Sequence, residues 1–148
     1  MTIMKKVISV LAVLLLAFGV ACARADRPIK VEELPVTAQN LLKTYFSNSK
    51  ISFAKVDDEI LTKEYEVMLT DGTKIEFDGK GDWESIDCKY GAVPMAIVPN
   101  PIKDYITKNY PDVTLLKIDR DGRYYEVSLS NRLELKFDKS FNLVDIDN

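Results

Sequence analysis

Histidine is absent from all 148 residues. That absence removes the commonest general base, the commonest zinc ligand and every histidine-containing catalytic triad. Cysteine is scarce, with Cys22 and Cys88 alone, so there is no metal-spaced cysteine set. A glycine-rich phosphate loop and a nucleophile motif are missing as well, and neither a cofactor nor a metal site is expected. Excess charge is lacking too. The 20 basic and 23 acidic residues give a formal net charge of -3, which offers no basic footprint for nucleic acid and is too small to specify a partner. Long apolar runs are limited to Val7–Val20, too short and too near the start to read as a membrane span. What remains, 47% hydrophobic and 29% charged residues, is the balance of a soluble globular domain and argues against disorder.

The apolar run follows Lys5-Lys6 and precedes the small-residue stretch Ala21-Cys22-Ala23-Arg24-Ala25. A basic head, a short apolar stretch and an Ala-x-Ala pattern describe a secretory signal peptide over residues 1–25, with the mature chain starting at Asp26. The rival reading is a lipoprotein with a lipid on Cys22. Gly19, three residues before that cysteine, stands where such signals usually carry an aliphatic side chain. With Cys22 removed, Cys88 is the sole thiol, so no internal disulfide forms. Without a histidine to lower its pKa, Cys88 reads as a small hydrophobe near a strand end and not as a reactive group.

The mature sequence is written twice. Tyr65-Glu66-Val67 aligns with Tyr125-Glu126-Val127, Leu69 with Leu129, Phe77-Asp78 with Phe137-Asp138 and Ile86-Asp87 with Ile146-Asp147, each pair sixty positions apart. The expected units are residues 26–88 and 98–148, joined by a connector over 89–97 that is too apolar for a free tether. Asp26–Glu33 reads as a flexible lead-in. Ala38, Leu41, Leu42 and Tyr45 form the stripe of one amphipathic helix, and Ile102, Tyr105 and Ile106 that of a second, stopped by Pro111. Period-two alternation predicts four strands after each helix. The first four cover Ile51–Asp57, Glu64–Thr70, Thr73–Asp78 and Trp83–Cys88. The second four cover Val113–Asp119, Tyr124–Ser130, Leu133–Asp138 and Leu143–Ile146. Asp71-Gly72 signals a two-residue hairpin. The fold class is therefore α+β: two copies of a helix plus a four-stranded antiparallel meander, forming one curved antiparallel sheet with both helices on one face.

Residues shared by both copies read as packing or turn residues, not catalysts. This covers Tyr65 and Tyr125, Phe77 and Phe137, Asp78 and Asp138, and Ile86 and Ile146. Glu66, Asp78, Asp82, Glu84 and Asp87 are the carboxylates to weigh for acid/base work, and alternation on a solvated strand face does not make them converge. Asp78-Gly79-Lys80-Gly81-Asp82 alternates acid and glycine as a calcium loop does, but a lysine occupies a ligand position, so a tight turn is the reading. Trp83, Tyr124 and Phe141 lack an aromatic counterpart in the other copy, and Tyr90 lies in the connector. Large aromatics dominate interface energetics, which makes these four the candidate partner-binding residues.

The order Leu34-Pro35, Ala38 to Tyr45, Tyr65-Val67-Leu69, Asp71-Gly72, Ile75-Phe77-Asp78 and Gly81-Trp83-Ile86 resembles the PepSY-like, beta-lactamase-inhibitor-like family of secreted bacterial proteins. In the second copy Asn131-Arg132 stands for the Asp-Gly turn, Phe141 for Gly81 and Leu143 for Trp83. The resemblance implies a fold similar to that of the secreted beta-lactamase inhibitor protein, with a curved sheet presented to a partner. It also implies a likeness to modules in the propeptides of secreted metalloproteases. The functional expectation is a non-catalytic periplasmic module that engages a protein or peptide, with enzyme inhibition as one form of that engagement. The alternative is a small-ligand carrier or sensor with a pocket between helices and sheet. No nucleic-acid partner is expected.

Overall fold

Alternating apolar side chains can all be buried only where consecutive strands stay in register, and here the pairing is regular through the middle of the sheet, with register shifts at Ile51/Phe53, Glu76/Phe77, Leu115/Lys117 and Lys136/Phe137. The computed structural model describes residues 26–59 and 61–148. The expected leader, its cleavage pattern and Cys22 lie outside the described residues. Nine strands form one antiparallel sheet in chain order: β1 (Arg27–Ile29), β2 (Ile51–Asp58), β3 (Lys63–Leu69), β4 (Lys74–Phe77), β5 (Trp83–Asp87), β6 (Leu115–Arg120), β7 (Tyr124–Leu129), β8 (Glu134–Asp138) and β9 (Leu143–Asp147). Helix α1 (Val36–Tyr45) lies between β1 and β2 in the chain, and α2 (Asn100–Asn109) between β5 and β6.

One row of directly opposed residues crosses all nine strands: Ile29, Ala54, Val67, Ile75, Ile86, Ile118, Val127, Leu135 and Ile146. Its seven middle members are buried. Removing a continuous apolar row from water is the main favourable term in such a fold. The helices contribute Ala38 and Leu42 from α1 and Ile102 and Ile106 from α2 to the core. Tyr105 of α2 meets the ring of Phe137 edge-on at 5.5 Å. Val93 and Val98 of the connecting segment are buried, and the Val93 N–H donates to the Leu115 carbonyl at 2.9 Å.

The structure departs from the sequence expectations in several places. The lead-in is not free: Arg27–Ile29 pairs with Val56–Ala54 as β1, and a short 3-10 turn, Val31–Glu33, follows. Tyr45 is exposed, and Phe46, one residue on, is buried in its stead. Val113 and Thr114 are loop, so β6 starts at Leu115. Ile86 and Ile146, expected to share a core role, differ: Ile86 is 0% exposed and Ile146 47%. Ile86 sits on a central strand, whereas Ile146 sits on the sheet's last strand, with a neighbour on one side only.

The hairpin at Asp71-Gly72 is a three-residue loop instead of a two-residue one. The Leu69 N–H donates to the Thr73 carbonyl and the Gly72 N–H to the Leu69 carbonyl, with Gly72 at φ 91°. The same pair of bonds recurs at Asp78, Leu129 and Asp138, which places Gly81, Arg132 and Phe141 at the left-handed position.

Candidate binding face

Because neighbouring strand residues point to opposite faces, a buried row implies a complementary row on the other side. Lys55, Glu66, Glu76, Ser85, Asp119, Glu126, Lys136 and Asp145 are opposed in turn from β2 to β9. A second row runs Lys74, Asp87, Lys117, Ser128, Glu134 and Asp147. These two rows hold eight carboxylates against four lysines. The excess of acid on this one face is larger than the chain's formal net charge of -3. The bulk composition conceals it, because net charge sums over both faces.

The lysines are engaged. Lys55 contacts Asp26 at 2.6 Å and Glu66 at 3.7 Å, Lys74 contacts Glu76 at 2.8 Å, Lys117 contacts Asp119 at 3.0 Å and Lys136 contacts Glu126 at 3.5 Å. The hydrogen bond to Asp26 holds the Lys55 ammonium above its ordinary pKa, and that to Glu76 does the same for Lys74. Around β9 the balance fails. Among the described residues no lysine or arginine lies within 4.0 Å of the carboxylates of Glu134, Asp145 or Asp147, and Glu134 is directly opposite Asp147. Glu84 is crowded as well: partial burial, then the like charges of Glu64, Asp78 and Glu76, push its carboxyl above the usual value.

The candidate aromatics are not one patch. Trp83 is 7% exposed. The Arg120 guanidinium carbon lies 3.9 Å from its ring centroid, and Arg120 Nε donates to the Trp83 carbonyl at 2.7 Å. A tryptophan flanked by Asp82 and Glu84 reads as exposed, but a cation from a strand far along the chain covers it, so its ring is not offered at the surface. Phe141 stacks against Tyr125 at 5.4 Å, and Tyr124 lies under Lys136 Nζ at 4.2 Å. Since Arg120 opposes Tyr125, these three candidates share one end of the sheet. Tyr90, 78% exposed, is at the other end, its ring edge laid on Gly72.

Asp78 Oδ1 accepts from the Lys80 and Asp82 N–H groups, and Asp138 Oδ1 from those of Ser140 and Asn142. The acidic residue at the head of each loop is thus spent on the backbone. Among the described residues no group of three or more acidic or cysteine side chains is placed to hold a metal. Burial pushes the Cys88 thiol up, opposed only by a hydrogen bond with Thr73. Two open apolar clefts lie at the C-terminal ends of the helices. One, of about 180 Å³, is lined by Val31, Leu42, Phe46 and Leu69; the other, of about 270 Å³, is lined by Val93, Ile106, Tyr110 and Leu115.

Residues 63–145 match a family described as "Putative beta-lactamase-inhibitor-like, PepSY-like". Three crystal structures share the architecture. A "putative calcium-regulated periplasmic protein" from Bacteroides thetaiotaomicron is 55% identical, covers 83% of this chain and 97% of its own, and superposes with a TM-score of 0.81. A "putative periplasmic protein" from Bacteroides vulgatus is 52% identical over 85% of this chain and 99% of its own, at 0.82. Another from the same species, of unknown function, is 34% identical over 84% and 100%, at 0.78. No curated protein matches the chain. Among the described residues no helix is long and apolar enough to cross a membrane.

Proposed function

The chain belongs to the PepSY-like family, and from that membership and its charge-segregated sheet we propose that it is a non-catalytic periplasmic binding module. It engages a protein or peptide through the open face of the sheet. The observation that carries the reading is the segregation of charge: one face buries a continuous apolar row, and the other presents half-buried to exposed carboxylates in excess of lysine. Complementary potential steers and selects partners more than it adds raw affinity. A cationic protein surface is the matching class, and an enzyme restrained by the module is one member of it. The periplasmic location draws on the descriptions of the related structures. We also propose that the helix-plus-four-strand unit is duplicated, with both helices on the apolar face. Support comes from the recurring loop geometry at residues 72 and 132 and at 81 and 141, and from the equal burial of Phe77 and Phe137.

The test is chemical crosslinking in periplasm with tagged wild-type protein and a Glu66→Lys/Asp119→Lys variant. A cationic partner retained by the wild type and lost by the variant is expected. Equal retention by both removes the sheet face from recognition. The small-ligand alternative draws on the two apolar clefts, but both fall below the roughly 300 Å³ at which drug-sized pockets begin.

A further inference from the structure

The two edges of this sheet are built differently. The β1 edge has three residues, one of them Pro28, which has no N–H to offer a neighbouring strand. The β9 edge has five residues without proline or lysine, so it lacks two of the commonest devices that keep exposed edges from pairing. A register shift at its start leaves Asp145 to Asp147 in regular pairing with β8. Among the described residues nothing pairs with its far side. Ile146 ends the buried row half-exposed, as a residue does when the next strand is missing. On the opposite face Asp145, Asp147 and Glu134 have no cation within 4.0 Å.

We infer that β9 accepts a partner segment as a tenth strand, and that the segment alternates apolar side chains with lysine or arginine. This rests on the protein-binding reading above and narrows it to one edge and one chemistry. The backbone ladder supplies affinity and the alternate side chains supply selection. Apolar residues of the incoming strand extend the row that ends at Ile146, and its cations meet Asp145, Asp147 and Glu134. A second copy of this chain does not fit. An antiparallel pair of β9 strands that keeps its faces matched sets Asp145 against Asp145 or Asp147 of the second copy, and like charges directly opposed destabilise a sheet.

The test uses a capped heptapeptide of alternating lysine and valine, read by fluorescence anisotropy and by amide hydrogen exchange. Two controls replace lysine by glutamate, or the central valine by proline. The lysine peptide is expected to bind at least about tenfold more tightly than either control. It is also expected to slow exchange in residues 143–147 and to lose affinity at least about tenfold for an Asp145→Lys/Asp147→Lys variant. A Glu32→Lys variant, altered on the exposed turn after β1 and outside the charged rows of the sheet, keeps most of the affinity. Binding that tolerates the proline, or protection confined to other strands, overturns the edge while leaving the sheet-face reading intact. Failure of the lysine peptide to bind overturns the inference, and so does a dimer in sedimentation, whereas the sheet-face reading falls only with the crosslinking result.

Discussion

At the scale of single residues, four loops of one geometry hold three residue types at the left-handed position, two glycines, an arginine and a phenylalanine, and the local demand differs among them. Gly81 is fixed by space. A Cβ there would lie 2.7 Å from Pro35 Cβ and 3.0 Å from the Ala38 nitrogen, at φ 88°. Gly81→Ala should therefore cost about 2–4 kcal/mol, from the left-handed penalty plus overpacking. Arg132 meets the same backbone demand at φ 73° without being glycine, and Arg132→Gly should gain up to about 1 kcal/mol in urea denaturation. Phe141→Gly gives no such gain, because it surrenders the ring stacked on Tyr125. Glu84 offers a pH test. Its carboxyl titrates above the usual value in the folded chain, so the stability it contributes is fully present below the unfolded pKa and is lost as pH rises through the folded one. Glu84→Gln should accordingly raise the urea midpoint at pH 7 and leave it nearly unchanged at pH 4. An equal shift at both would show that like-charge crowding is not the cause. Asp138 runs the other way. The Asn142 N–H, then the Asn142 side chain, hold its carboxyl low, and its contribution disappears as pH falls through that lowered value.

At the scale of elements, a residue's worth depends on where its strand lies in the sheet. Ile86 and Ile146 are the same side chain in the same opposed row, yet only Ile86 has strands on both sides. Ile86→Ala should cost about 2–5 kcal/mol, the usual penalty for a large buried aliphatic, and Ile146→Ala less than about 1 kcal/mol. Thermal and urea denaturation of the two variants checks the contrast, and similar losses would mean that β9 is covered. The same dependence on neighbours explains what was legible in the sequence. Strands β2 to β9 are readable because their alternation is local, and the helices because their stripes are. Strand β1 is not, since Arg27-Pro28-Ile29 has no period of its own and is a strand only because β2 lies beside it. Residues of the candidate site were hidden for the same reason. The covering of Trp83 comes from Arg120 through the β5–β6 pairing, and the acidic face forms only when carboxylates from seven strands align.

At the scale of the whole molecule, the question is whether the sheet behaves as one body. The junction between β5 and β6 joins Ser85, Ile86 and Asp87 to Asp119, Ile118 and Lys117. It is reinforced by the Cys88 N–H on the Leu116 carbonyl at 2.8 Å and by Val93 on Leu115. Ile86 and Ile118, facing each other there, are both fully buried, so the apolar row does not thin where β5 meets β6. A chain whose core crosses the junction without a break should unfold in one cooperative step. Trp83, the only tryptophan, reports on β5, while far-ultraviolet circular dichroism reports on every strand; the two transitions should superimpose. A stricter version uses Leu135→Ala on β8, three strands beyond the junction, where the loss of a buried leucine costs about 2–5 kcal/mol. If the sheet is one body, that substitution lowers the urea midpoint seen by Trp83 fluorescence as much as the midpoint seen by dichroism. An unmoved Trp83 signal would mean that residues before and after the connector melt separately. A rigid nine-stranded face would then be no basis for recognising a single extended partner.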